Sequence, residues 1–357
     1  MKIAIVGIQG IPNNYGGFET LTEYLVKYLS RDFEITVYCS SKDIKTKQTT
    51  WNGAKLEYIP ISSHGAQGII YDSIALCRAC FSNDKILFLG FGGGFVIPLL
   101  KKFKPKIILN FGGLDWKRDK WSASAQRMIK IAERNLVKNS SVVIADNIGI
   151  QQYIKQEYQI DAPLIAYGGD QAKHLPVTDG MKERYPFLNS RYAFSVARIQ
   201  PDNNIEMMLE AFSRFPGFPF VIVGNWNVSA FGRSLRNKYA GQKNLFLLDA
   251  IYDREILDVL RSNCAVYLHG HSAGGTNPSL CEAMYLGLPV IAYASGYNEY
   301  TTQNDAIYFK DKDTLAAIID QIDSFNLKMI GEKLEKTARE YYRWSEIALK
   351  YKRIILK

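Results

Sequence analysis

Residues 264–292 read CAVYLHGHSAGGTNPSLCEAMYLGLPVIA. The apolar run Cys264 to Leu268 has the look of a buried strand. A helix begins within a few residues. Asn277 suits an N-cap, Pro278 suits the first turn, and Gly287 with Pro289 ends the helix. A second apolar run, Pro289 to Ala294, follows at once. Strand, glycine-rich loop, helix and strand make one unit of a parallel sheet. Capping accounts for Asn277 and Pro278, but not for the His, Gly, Ser and Thr crowded ahead of them. The N–H groups at 275–280, with the helix dipole behind them, form a cradle for an anion. Glu282 lies one turn into the helix, off the stripe Leu280, Ala283 and Met284, so it is expected to point away from the core.

The same alternation extends in both directions. KIAIVGI at the start reads as a buried parallel strand, and Phe18 to Leu29 as a helix with Leu21, Leu25, Val26 and Leu29 on one stripe. Strand-like runs recur at FEITVYCS, KLEYIPI, KILFLG, KIILNF and SVVIAD, with helical segments at 67–81 and 122–138. Residues 171–190 lose periodicity and gather Pro, Asp and Gly, as a linker does. Strands and helices then resume to residue 327. The expected fold is α/β: two Rossmann-like domains, 1–170 and 191–327, with a cleft between them and a helical tail, 328–357, packing back toward the first. The tail ends in the basic, amphipathic EIALKYKRIILK.

Composition narrows the function. Lys and Arg number 44 against 35 Asp and Glu, a net charge of +9. That favours an anionic partner: a nucleotide, a polyphosphate, a nucleic acid or a membrane surface. The five Cys are irregularly spaced, and the CxxC of Cys77 and Cys80 has no second pair, so buried thiols in a reducing cytosol are expected. No run is long and apolar enough to span a bilayer, and the first residues do not form a signal sequence.

In open parallel sheets ligands sit beyond the carboxyl ends of strands. Four loops there carry chemistry. Gly16 and Gly17 precede the first helix, where backbone can approach a phosphate; a plain tight turn is the alternative. The G-x-G-x-x-G spacing of a nicotinamide site is absent, which argues against an oxidoreductase. In NFGGLDWKRDKW, Asp115 is followed by Trp116, Lys117, Arg118 and Lys120, a set suited to a diphosphate or an anionic membrane face, or to a solvated loop. Arg198 follows the first strand of the second domain and can hold phosphate oxygens with paired N–H donors. His269 and His271 lack a third ligand for a metal, which leaves a hydrogen-bonding or cationic role toward a diphosphate. The Asp pair at 311 and 313 reads as a helix cap.

Together these residues resemble the large family of retaining GT-B glycosyltransferases that use sugar nucleotides. The resemblance rests on the glycine pair after the first strand, Arg198, the VGN at 223–225 and the block NPSLCEAMYLGLPVIA. The strings IPNNYGGFET, GLDWKRDKW, IADNIGIQQYI, IAYGGD, DNNIEMMLEAF and IYDREIL narrow it to a bacterial subgroup, rhamnosyltransferases of capsule and exopolysaccharide assembly.

The resemblance implies roles. Gly16, Gly17, Gly275, Thr276 and Asn277 would lie against diphosphate and sugar, with Gly224 and Asn225 nearby. Arg198 would hold the diphosphate, Glu282 the ribose, and Ile251 and Tyr252 the base. Asp115 would supply the polar residue of the catalytic loop. Three positions depart from the family: Gly274 replaces a second Glu, Asn203 replaces a Lys, and Gly112 and Gly113 replace a His or Asp.

The expected activity is metal-independent transfer, with retention, of a sugar from a dTDP- or UDP-linked donor, L-rhamnose first. The acceptor would be a lipid-linked glycan at the inner face of the cytoplasmic membrane. Neither a cofactor nor a nucleic-acid partner is expected. The alternatives are another hexose donor, a sugar-nucleotide epimerase, or a non-catalytic glycan-binding protein of the same fold.

Overall fold

The computed structural model describes residues 1–12, 16–117 and 122–357. The chain forms two compact units, Met1–Tyr167 with Trp344–Lys357, and Gly168–Arg343.

The first unit contains β1 (Lys2–Val6), α1 (Gly17–Leu29), β2 (Glu34–Ser40), β3 (Thr50–Trp51), β4 (Ala54–Ile59), α2 (Gly65–Ser82), β5 (Lys85–Leu89), β6 (Ile107–Asn110), α3 (Ala123–Lys138), β7 (Val142–Ile144) and α4 (Ile148–Tyr158). Its sheet order is β3-β4-β2-β1-β5-β6-β7, parallel except for the β3–β4 hairpin. β1 is four-fifths buried, KIAIV, as a strand covered on both faces must be. The chain moves one way across the sheet from β1 to β2, and the other way from β4 to β5 and from β6 to β7. Right-handed crossovers therefore put α2 and α3 on the face opposite α1.

The second unit contains α5 (Asp179–Arg184), β8 (Ala193–Val196), α6 (Ile205–Phe212), β9 (Phe220–Val223), α7 (Ala230–Lys238), β10 (Leu245–Leu248), α8 (Arg254–Ser262), β11 (Val266–His269), α9 (Pro278–Tyr285), β12 (Val290–Tyr293), α10 (Tyr297–Thr302), β13 (Ile307–Phe309), α11 (Lys312–Asp320) and α12 (Leu327–Tyr341). Its parallel sheet runs β10-β9-β8-β11-β12-β13. Local chemistry sets the helix starts: Asp253 caps α8 by accepting from Glu255 N–H at 2.9 Å, and Asp311 caps α11 by accepting from Thr314 N–H at 2.7 Å.

Two expectations meet a different arrangement. Residues 171–190 belong to the second unit and are bonded into it: Lys173 N–H donates to Asp258 at 3.2 Å and Asn263 Nδ2 to the Leu175 carbonyl at 2.8 Å. The tail divides. α12 stays with the second unit, while α13 (Trp344–Ile355) packs on α1 in the first. Trp344, Ile347, Tyr351 and Ile355 join the core of the first unit, and Trp344 stacks on Tyr24 at 4.6 Å. Each such side chain contributes about 1.5–3 kcal/mol by leaving water. The apolar face of the tail's last helix is therefore an internal packing face.

Candidate functional site

β8 and β11 are neighbours, so the loops after them leave the sheet side by side. Hydrogen bonds tie the two loops together. Ser272 donates to the Asp202 carbonyl from N–H at 2.9 Å and from Oγ at 2.8 Å, and Asn204 Nδ2 donates to the Gly270 carbonyl at 2.9 Å. Buried Asn298, at the start of α10, donates from Nδ2 to the His271 carbonyl at 2.9 Å. Gly270 lies so close to the Asn203 carbonyl that a Cβ has no room.

Arg198 sits in this lattice with its backbone held on both sides. Its carbonyl accepts from Asn203 Nδ2 at 2.7 Å, and the N–H of Ile199 donates to Asn225 Oδ1 at 3.1 Å. The guanidinium is half-buried and has no carboxylate partner among the described residues. A partly desolvated guanidinium has the paired N–H donors that suit an anion. Asn203, the departure from the family's Lys, is a buried brace for the Arg198 loop. Gly224 and Asn225, expected at the donor, act on the same loop: a Cβ on Gly224 would meet Ile199 Cδ1 at 2.5 Å and the Ala197 carbonyl oxygen at 2.6 Å.

The next loop reaches α9. Asn277 occupies the N-cap with extended φ and ψ, but its side chain makes no capping bond. Leu280 and Cys281 N–H both turn back to the Asn277 carbonyl at 3.1 Å. The N–H groups of Gly275 and Asn277 have no partner among the described residues, and Thr276 is buried beside them. Gly274 has φ +120, a conformation L side chains rarely adopt. A side chain at 274, such as the family's Glu, would have to adopt this strained backbone conformation.

His269 is 1% exposed and stacks on His271 at 4.3 Å, 10° from parallel. Neither of its ring nitrogens has a hydrogen-bond partner among the described residues. Burial, then the neighbouring His271, holds its pKa well below the usual histidine value. The cationic role expected for His269 is corrected on this ground: it is a neutral imidazole.

Glu282, expected to point away from the core, is held by two partners. It does not face open solvent. Its side chain is 17% exposed and pairs with Arg261, which is 3% exposed. Gln171 Nε2 donates to its other oxygen at 2.6 Å. Gly169 brings this segment against α9, where a Cβ would strike the backbone of Cys281. Arg261, Gln171, Asp202, Asn204 and Asn298 escape a reading of sequence because each acts through a contact distant along the chain. Asn204 alone had a signal in its residue type: Asn tolerates the left-handed φ, +51, that it adopts inside DNN.

The other expected residues lie elsewhere. Ile251 and Tyr252 follow β10 at the sheet edge, with Tyr252 60% exposed. Gly16 and Gly17 start α1 in the first unit; Gly16 has φ +111, and a Cβ there would strike the Glu19 carboxylate. Asp115 begins a 3-10 turn, Asp115–Lys117. Trp116 and Lys117 lie in the same turn, with Lys117 Nζ 5.4 Å and Lys130 Nζ 5.0 Å from the Trp116 ring. A cavity of about 350 Å³ beside them is lined by Trp116, Gln126, Arg127, Lys130, Ile131 and Arg134, with Ala123. Arg118 and Lys120 lie outside the described residues. Among the described residues no group of His, Cys, Asp and Glu has the arrangement of a metal site.

Comparisons agree with this architecture. Residues 180–343 match the family model "Glycosyl transferases group 1", and residues 1–170 match "Domain of unknown function (DUF1972)". A sucrose-phosphate synthase from Thermosynechococcus elongatus superposes with a TM-score of 0.79 at 16% identity, over 99% of this chain and 98% of that one. HepE of Anabaena in complex with UDP superposes at 0.74 and 13% identity, over 99% of both chains. A trehalose-phosphate synthase (UDP-forming) from Burkholderia xenovorans superposes at 0.74 and 12%, over the whole of both. No curated protein matches the chain. The fold is GT-B, and the family match over the second unit supports a glycosyltransferase.

Proposed function

We propose that the chain transfers a sugar, L-rhamnose from dTDP-L-rhamnose, to a lipid-linked bacterial surface polysaccharide at the inner face of the cytoplasmic membrane. The observation that supports a sugar-nucleotide donor is Arg198; L-rhamnose and the dTDP base rest on the sequence resemblance. Its guanidinium has no carboxylate partner among the described residues, the backbone of its loop is braced by Asn203 and Asn225, and that loop is tied to the one carrying the free N–H groups of Gly275 and Asn277 ahead of α9. Such donors do most where charge develops in the transition state. A sugar nucleotide is already activated, so the charge that builds is on the β-phosphate.

Arg198 and the N–H groups of Gly275 and Asn277 stabilise that phosphate as the bond from the sugar C1 to its oxygen breaks. The acceptor hydroxyl forms the new C1–O bond on the same face, and its proton passes to the departing phosphate oxygen. Configuration is retained, and no metal is needed. Glu282, held by Arg261 and Gln171, accepts hydrogen bonds from the ribose hydroxyls. The HepE structures with UDP and with UDP-glucose favour a uridine donor as the second reading.

The test is a panel of dTDP- and UDP-sugars with a lipid-linked or synthetic glycoside acceptor. Acceptor-dependent release of dTDP from dTDP-L-rhamnose, unchanged by chelator and giving a product of retained anomeric configuration, is expected. Release of UDP alone would move the donor assignment. Nucleotide release indifferent to acceptor would remove the transferase reading.

A further inference from the structure

The positive charge of this chain is concentrated in one stretch of its sequence. Residues 95–139 hold eleven Lys and Arg against three acidic residues, so this stretch alone carries a surplus of eight within the chain's net +9. One of the three acids, Glu133, is fully buried and bonded to Lys130, Tyr153 and Tyr158. Its charge does not face outward.

Large apolar side chains stand exposed on the same face. Leu99 is 83% exposed and Phe81 69%, and Phe95, Met128 and Ile131 are also exposed. They come from α2, from the 3-10 segments Gly92–Phe95 and Ile97–Lys106, and from α3. These elements pack on one another, on the face of the sheet opposite α1. Asn135 Nδ2 donates to the Gly94 carbonyl at 3.0 Å, and the Phe103 ring meets Phe81 edge-on at 4.9 Å. Lys102 Nζ lies 5.0 Å from the Phe103 ring. Lys101, Lys102, Lys104, Arg127 and Arg134 are exposed among them. The acid that α2 adds, Asp72, is pressed against Gly92, and burial pushes its carboxyl up to about 8.

Cations around exposed Leu, Met, Ile and Phe complement one kind of surface: anionic headgroups above acyl chains. A nucleic acid would match the charge but has no place for aliphatic side chains, which do not stack on bases. We propose that this face of the first unit docks on an anionic lipid bilayer, with Leu99 and Phe81 entering the headgroup boundary and Lys101, Lys102 and Lys104 meeting lipid phosphates. The inference takes its purpose from the lipid-linked acceptor proposed above, although docking itself requires no transfer.

The test is co-sedimentation of the full chain with vesicles, with no sugar nucleotide present. Binding is expected to an equal mixture of phosphatidylcholine and phosphatidylglycerol and not to phosphatidylcholine alone. It should weaken as salt shortens the Debye length from about 30 Å at 0.01 M to about 8 Å at 0.15 M. Lys101→Gln/Lys102→Gln/Lys104→Gln should lower affinity on the order of a hundredfold. Phe81→Ser/Leu99→Ser should also lower it, with Tm retained. Lys42→Gln/Lys45→Gln/Lys47→Gln makes the same change of net charge on an exposed loop elsewhere and should have little effect.

Equal binding to neutral vesicles, binding to neither, equal losses in the two lysine triples, or retention of nucleic acid in place of vesicles would overturn the proposal. Vesicle binding without sugar transfer would overturn the proposed function alone. Transfer to a soluble glycoside without vesicle binding would overturn the docking alone.

Discussion

Replacing Glu282 by Gln tests how its carboxylate is held. The Arg261 guanidinium is 3% exposed and pairs with Glu282, whose other oxygen accepts from Gln171. Glu282→Gln keeps the shape and removes the charge, leaving a buried cation with Asp258 as the carboxylate that still acts on it. Breaking a buried pair from one side costs about 3–5 kcal/mol. Glu282 is 17% exposed, so water relieves part of that and the low end, about 3 kcal/mol, applies. For a unit of this size about 3 kcal/mol lowers Tm by roughly 6–12 °C. The assay is thermal unfolding of the full chain, following the transition of the second unit, for wild type, Glu282→Gln, Arg261→Met and the double variant. The double variant should recover most of the loss, because removing both charges leaves neither unpaired. A Tm for Glu282→Gln within about 1 °C of wild type would refute the reasoning. So would a double variant as unstable as the two single losses added together. The double variant should still lose donor affinity, which separates the brace from the ribose contact.

Four further outcomes follow from the same geometry. Arg198→Ala should lose most nucleotide release, on the order of a hundredfold or more, with Tm unchanged; equal turnover would take Arg198 out of the site. Gly274→Glu, which restores the family's residue, should cost about 1–3 kcal/mol through its φ of +120 and should not raise activity, as thermal unfolding and turnover will show. The neutral state of buried His269 makes stability depend on pH. The unfolded chain takes up the proton near pH 6.5 and the folded chain resists it, so this contribution is complete above about pH 6.5 and declines as pH falls below it. A His269→Asn variant should show a flatter Tm between neutral and acidic pH, and parallel profiles would count against a neutral His269. Trp344→Ala should destabilise the first unit by about 3–5 kcal/mol, read by denaturant unfolding, because it empties the contact between α13 and α1.

Repeated short-range patterns made the architecture readable. Apolar runs bounded by glycine, and helices with one apolar stripe, mark strands and helices through contacts a few residues apart. The caps at Asp253 and Asp311 and the Pro278 start of α9 are equally local. Arg198 and the glycines ahead of α9 stood out because strand ends are where parallel sheets place ligands.

What a residue does with its neighbours was settled only by tertiary packing. Asn203 and Asn225 give no local sign of bracing Arg198, since their partners are reached only when adjacent loops meet. Helical phase takes Glu282 off the core stripe but does not show its partners, because Arg261 and Gln171 come from distant segments. The tail shows the same division. Its amphipathic period is written in the chain, but what covers the apolar face is not, and in the folded protein α1 covers it. Periodicity is a property of successive residues, whereas burial and electrostatic partnership belong to surfaces that exist only once distant segments have packed together.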